Sequence, residues 1–213
     1  MKVAILSESS ADQAAVEILA GALLGRPIER VGLPLRTPPA GWPRVLQVLP
    51  NVIPALHYGT DAEALIVVAD SDYAPLVGDV PDPLPPGADR CRLRLLRDSA
   101  RRACEALRPA GGRDRIRVAI GVAVPTVEAW YLCGIDSAVS EHAWLGSLGS
   151  RRQPYTKLEL KRRKYDTDRP QRSLGTERAV ENARRLAGQL NWLEKKFPRG
   201  FGALAADVRS WRR

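Results

Sequence analysis

Short runs of apolar residues alternate along this chain with longer stretches in which apolar positions recur every three or four residues. Residues 2–7 (KVAILS), 65–69 (LIVVA) and 116–124 (IRVAIGVAV) are of the first kind, and such runs fit strands buried on both faces of a parallel sheet. Residues 10–25 are of the second kind: Val16, Leu19 and Leu23, with Ile18 and Ala22, share a helical face. Ser10 with Gln13 forms a capping-box pattern there, and Gly25 with Pro27 supplies the stop. Residues 28–36 (IERVGLPLR) predict a second strand, with Pro34 marking an edge or an early end. Residues 44–59 have helical spacing but contain Pro50 and Pro54, which predicts two short helices, each with a proline in its first turn. Residues 74–88 hold five prolines and predict a long irregular loop.

Farther on, residues 89–107 predict an amphipathic helix whose apolar face is Leu93, Leu96, Ala100, Ala103, Cys104 and Leu107, with arginines opposite. Another helix starts after Pro125 and Thr126. From about residue 145 the chain turns polar and basic: a linker-like loop, a helix from Thr176 through Phe197, and a last short helix. Strands alternating with helices predict an α/β fold with a mainly parallel sheet and helices on both faces. We divide the chain into an α/β core, residues 1–145, and a basic, mostly helical C-terminal extension, residues 146–213, packed on it.

Carboxylates follow each main strand. Glu8 and Asp12 come after the first, Asp70 and Asp72 after the third, and Glu128 after the fourth. A parallel sheet delivers all of them to one edge, where ligands of open α/β sheets bind. If the extended conformation continues through residues 70–72, both aspartates lie on one side of the backbone. Two unit charges ~6 Å apart repel by roughly 3 kcal/mol at an effective dielectric near 20. Such a cluster therefore needs protons or a cation, and Mg2+, or Mn2+, suits an all-oxygen donor set. Each residue also has an ordinary explanation. Asp12 and Glu128 suit the first turns of helices, Asp70 and Asp72 suit turns, and Glu8 suits a solvated loop.

Composition narrows the class. No apolar run approaches the ~18 residues of a membrane span, and the opening MKVAILSESS is too short for a signal peptide. Cys91, Cys104 and Cys133 show neither disulfide nor zinc spacing, which points to a reducing cytoplasm. His57 and His142 are isolated. The net charge of +9 is uneven: residues 151–213 hold 18 basic and 7 acidic residues, residues 1–150 hold 15 and 17. A basic tail on a near-neutral body suggests an acidic partner, nucleic acid first, or else a solvated helical surface. Lys157 and Lys161 stand four apart on one face if that stretch is helical. A lysine beside the site would stabilise phosphoryl charge, making Lys157 a candidate catalytic residue. The run Lys161, Arg162, Arg163 and Lys164 would hold a nucleic-acid backbone.

An acidic residue after the first strand and an Asp-x-Asp after a later one resembles the Toprim domain of type II topoisomerases, bacterial-type primases and the overcoming-lysogenisation-defect nucleases. The phrase AILSESSAD is similar to the nuclease version, with Glu8 followed four residues on by Asp12, although Ser9 stands where those families carry glycine. The phrases VAVPTVEAWYLCG and KKFPRGFGAL resemble small stand-alone bacterial Toprim-like proteins encoded beside ABC-type ATPases in phage-defence settings. The resemblance implies Glu8 as acid/base or ligand, Asp70 and Asp72 as Mg2+ ligands, and Asp12 and Glu128 as ligands of a second ion. It implies a metal-dependent nuclease, DNA ahead of RNA as substrate and an ABC-type ATPase partner; the lack of a long apolar run predicts no membrane association, and a homo-oligomer is left open. A PIN-like nuclease and a non-catalytic subunit binding nucleic acid or the ATPase are the rival expectations.

Overall fold

A computed structural model of the chain describes residues 1–36, 39, 41–76, 90–110, 112, 114–148, 150, 152–167 and 169–212. Most of the proline-rich loop expected at 74–88 and the expected helix start at Asp89 lie outside them. Four strands form one all-parallel sheet in the order β2–β1–β3–β4: β1 is Lys2–Leu6, β2 Glu29–Val31, β3 Ala64–Asp70 and β4 Arg117–Ala123. Residues 64–69 of β3 are all buried, as their unbroken apolar run requires of a central strand covered on both faces. β2 is three residues long and sits at an edge; the proline-marked early end is observed.

The first crossover helix is α1, Ser10–Leu24, followed by α2, Trp42–Gly59, and α3, Arg92–Glu105. The chain moves from β1 outward to β2, then returns past β1 to β3 and on to β4. With right-handed crossovers this reversal places α1 on one face and the packed pair α2–α3 on the other. Beyond β4 come α4 (Val127–Tyr131), α5 (Glu141–Ser147), α6 (Lys157–Tyr165), α7 (Arg172–Ala187), α8 (Leu190–Lys196) and α9 (Phe201–Arg209). α7 packs along α1, and α9 packs against β4 and α1. Ala179, Ala183, Leu186, Phe201, Leu204 and Val208 join the same hydrophobic core as the strands. The close approach of α9 needs Gly121 in β4, where an added Cβ would sit 2.9 Å from Leu204 Cβ. Asp207 of α9 accepts the Ile120 N–H at 3.2 Å, covering a backbone group on edge strand β4.

Several local expectations are corrected. Residues 42–59 form one helix with Pro50 and Pro54 inside it, not two. A proline within a helix costs ~3 kcal/mol, but one continuous face of Val45, Val48, Leu49, Val52, Ile53 and Leu56 is buried in the core and holds the helix together. Ser9, not Ser10, caps α1, accepting from the Asp12 N–H at 3.1 Å. The helix expected from Thr176 starts earlier, at Arg172, and breaks after Ala187 at Gly188, so α7 and α8 are separate. The linker expected after residue 145 overlaps α5, and Tyr155 within it is buried against Trp144 at 5.5 Å between ring centroids. Among the described residues no helix is long and apolar enough to cross a membrane.

Candidate functional site

The strand order reverses between β1 and β3, and the crevice beyond their carboxyl ends is where an open α/β sheet offers a ligand site. Glu8 leaves β1 there and Asp70 ends β3. Their contact is direct: the Asp70 N–H donates to Glu8 Oε1 at 2.9 Å. Ser9 follows with φ −145°, an extended backbone open to any residue, so serine in place of glycine imposes no strain. Its hydroxyl donates to Asp12 Oδ2 at 2.7 Å and fixes that carboxylate in the first turn of α1. Glu128, in the first turn of α4, accepts from the Thr126 hydroxyl. Asp70 Oδ1 accepts the Val127 N–H at 3.2 Å, tying β3 to the start of α4.

Glu8, Asp12, Asp70 and Glu128 line one cavity of about 610 Å³, and Lys161, Tyr165, Arg169 and Arg172 line it with them. Burial, then repulsion from Asp70, pushes Glu8 up to about 7 and Asp12 up to about 8, and raises Glu128 as well. Burial and then the neighbouring carboxylates raise the Tyr165 and Tyr131 phenols too. The raised carboxyls favour their protonated forms, because burial and like charge outweigh the attraction of Lys157 for Glu8 and of Lys161 for Glu128.

The Asp70–Asp72 pair is arranged differently. β3 ends at Asp70, and Asp72 has φ 49°, so the extended conformation that would align the two carboxylates does not continue. Asp72 is held in the left-handed region by its N–H donating to Pro125 O at 2.9 Å and its carbonyl accepting from Trp144 Nε1 at 3.0 Å. What unites the pair is Lys157, whose Nζ lies 3.0 Å from Asp70 Oδ2 and also bonds Asp72 Oδ1. Arg92 adds a second cation, 2.7 Å from Asp72 Oδ2 and 2.6 Å from the Asp70 carbonyl. Burial opposes ionisation of Asp72, but the bonds to Lys157 and Arg92 outweigh it and lower its pKa. Burial likewise opposes the Lys157 charge, and Asp70 and Asp72 reverse that and raise it.

The structure thus brings Glu8, Asp12, Asp70, Asp72, Glu128 and Lys157 to one edge of the sheet. Of the expected basic run only Lys161 lines the cavity, on the same α6 face that carries Lys157. Arg163 pairs with Asp136 at 2.7 Å, Arg162 is exposed, and Lys164 lies half-buried near Arg178 and Arg185. Arg92, Thr126, Arg169 and Arg172 were not singled out by the sequence. Arg92 could have been found as the first residue of the helix after β3, and Arg172 was missed because α7 starts four residues before its expected start.

Fold and site together define an α/β protein with an all-parallel 2-1-3-4 sheet and a carboxylate-lined crevice at its switch point. Comparison with protein-family models, curated proteins and solved structures found no match. Among the described residues no three His, Cys, Asp or Glu side chains are already arranged as a metal-ligand set. The donor chemistry nevertheless fits a hard cation: every candidate ligand is a carboxylate oxygen, and the burial and crowding that raise Glu8, Asp12 and Glu128 are what a cation would relieve.

Proposed function

We propose that this chain is a Toprim-like, Mg2+- or Mn2+-dependent phosphodiesterase acting on nucleic acid, working with an ABC-type ATPase partner in bacterial phage defence. One observation carries the catalytic part. A single cavity at the switch point holds four crowded carboxylates and, on its other walls, Lys161, Arg169 and Arg172. Carboxylates alone would repel a phosphodiester and cations alone would merely bind it; the two sets together suit a metal and a phosphate at once. Asp12, Asp70 and Glu128 would hold the ion, with Glu8 either a fourth ligand or the general acid/base. When bound, it would supply an activated water and charge compensation at phosphoryl oxygens.

The chain's own residues then have distinct tasks. Glu8, held at about 7, can take up or release a proton near neutrality, as a general acid/base must. Lys161, Arg169 and Arg172 orient the phosphate backbone. Lys157 holds Asp70 and Asp72 in place, and its charge would favour a phosphoryl group bound beside them. The same lysine supports a second reading: an ammonium already neutralises the Asp pair, as in a non-catalytic subunit that binds nucleic acid or an ATPase.

The test is cleavage of labelled DNA and RNA with Mg2+, Mn2+ or EDTA, with and without the ATPase, by wild type and Asp70→Asn. We expect metal-dependent cleavage lowered at least ~100-fold in the variant, the scale of losing one charge-stabilising group. Binding without metal-dependent cleavage would leave the non-catalytic reading.

A further inference from the structure

Next to the acidic cavity lies a second, open one of about 680 Å³, lined by Trp42, Asp72, Tyr73, Arg90, Arg92 and Leu95. The two meet at the Asp70–Asp72 segment. Tyr73 directly follows the site aspartate and is 61% exposed. It is not loose. Its ring packs on Trp144 at 5.6 Å between centroids, tilted by 38°, and Trp144 stacks on Tyr155 at 5.5 Å. Trp144 and Tyr155 are buried, so Tyr73 is the outer member of a three-ring cluster anchored in the core. Across the cavity the Arg92 guanidinium lies 5.0 Å from the centre of the Trp42 ring, and Arg90 is exposed at the rim.

We infer that this second cavity binds an unpaired nucleobase stacked on Tyr73, so that the substrate is single-stranded nucleic acid or a single-stranded end. This rests on the reading that the neighbouring cavity engages nucleic acid. A pre-held aromatic face costs little ordering entropy, and stacking on it is open to any base with a free π-face. Inside a duplex both faces of a base are covered by its neighbours, so an interior paired base cannot stack on Tyr73, whereas an unpaired base can. Arg92 is already paired with Asp72, and exposed Arg90 supplies the positive charge that an adjoining phosphate needs; the volume falls within the ~300–1,000 Å³ typical of small-ligand sites.

The test measures binding by fluorescence anisotropy in EDTA. Probes are a labelled single-stranded oligonucleotide, the same strand with abasic positions, and its duplex, with wild type, Tyr73→Ala and Tyr73→Phe. We expect wild type to prefer the intact single strand. Tyr73→Ala should weaken that binding between about fivefold and about a hundredfold, the range of one base–aromatic stack. Tyr73→Phe should bind as wild type, and duplex binding should not depend on residue 73. Exposure of the ring makes misfolding of the variants a minor concern, checked by their melting temperatures. Equal single-strand affinity in Tyr73→Ala, or equal affinity for the abasic strand, overturns the inference. Metal-dependent cleavage of the same probes is followed in parallel. Cleavage indifferent to residue 73 overturns stacking alone, Tyr73-dependent binding without cleavage overturns only the nuclease, and absence of any binding overturns both.

Discussion

Raising the pH should destabilise the metal-free protein across the neutral range, against the usual course for a basic chain. Glu8 is raised from 4.5 to about 7 and Asp12 from 3.8 to about 8, both chiefly by burial. Each binds its proton more tightly folded than unfolded, so its contribution is full below the unfolded value and is lost as pH rises through the folded one. Glu128 and Glu141, also raised, act in the same direction. Asp72 is lowered, so its contribution is lost only in acid, below its ordinary value of 3.8, outside this window. At 1.36 kcal/mol per pK unit the shifts correspond to about 3 kcal/mol for Glu8 and about 6 for Asp12. Half of that total, about 4.5 kcal/mol, allows for water entry and for repulsion shared between interacting carboxyls. For a chain of this size it corresponds to a melting temperature falling by ~9–18 °C between about pH 5 and about pH 8.5.

The assay is thermal unfolding followed by circular dichroism in EDTA across that range, repeated with Mg2+ or Mn2+. Because metal binds only the ionised carboxylates, the cation should flatten the slope and be most stabilising at the alkaline end. Asp12→Asn should be more stable than wild type at about pH 8.5 and should lose much of the slope, since the amide never ionises. A melting temperature in EDTA that stays level or rises with pH would refute the proposed crowding, and so would an Asp12→Asn variant no more stable than wild type at alkaline pH.

Two further substitutions probe the surroundings of the site. Lys157→Met leaves Asp70 and Asp72 with Arg92 as their remaining cation; partial burial of the three groups sets the expected loss at about 1–3 kcal/mol by urea unfolding near neutrality, and a loss under about 0.5 kcal/mol would mean the ion pairs are solvent-screened. Gly200→Ala puts a Cβ 2.2 Å from the backbone oxygen of Val122, so α9 must shift off β4; we expect a loss of about 3 kcal/mol or more, and an unchanged melting temperature would contradict that close approach.

The fold class was legible because burial wrote itself into composition: β3 and β4 are covered on both faces and read as apolar runs. Element boundaries were less legible, since they depend on partners distant in sequence. Pro50 and Pro54 argue locally for a break, and only the buried face of α2 against the sheet and α3 overrides them. Gly188 ends α7 with nothing nearby to mark it beyond one glycine among apolar and polar neighbours. The carboxylates of the site were legible because each follows a strand, and a parallel sheet brings strand ends together whatever the loops do. Arg169 and Arg172 were not, because they reach the cavity through the packing of α7 along α1, and no local pattern encodes that contact.

The Asp70–Asp72 motif shows why residue type and spacing were insufficient to assign roles within the site. Had the strand continued, the two carboxylates would have been equivalent. The left-handed turn at Asp72, held by Pro125 and Trp144, instead separates them. Asp70 stays in the cavity with Glu8, Asp12 and Glu128, while Asp72 turns to the neighbouring cavity with Arg92 and Tyr73. Charge is compensated differently on the two sides. Burial favours the protonated forms of Glu8 and Asp12, whereas Lys157 and Arg92 compensate the Asp70–Asp72 pair. A proton leaves without any change of backbone, whereas Lys157 is anchored in the first turn of α6. A cation arriving at this edge therefore meets least resistance at Glu8 and Asp12, with Asp70 joining them from the shared strand end. Asp72 is better suited to keeping Arg92 and the adjoining Tyr73 in place than to being a ligand of that ion.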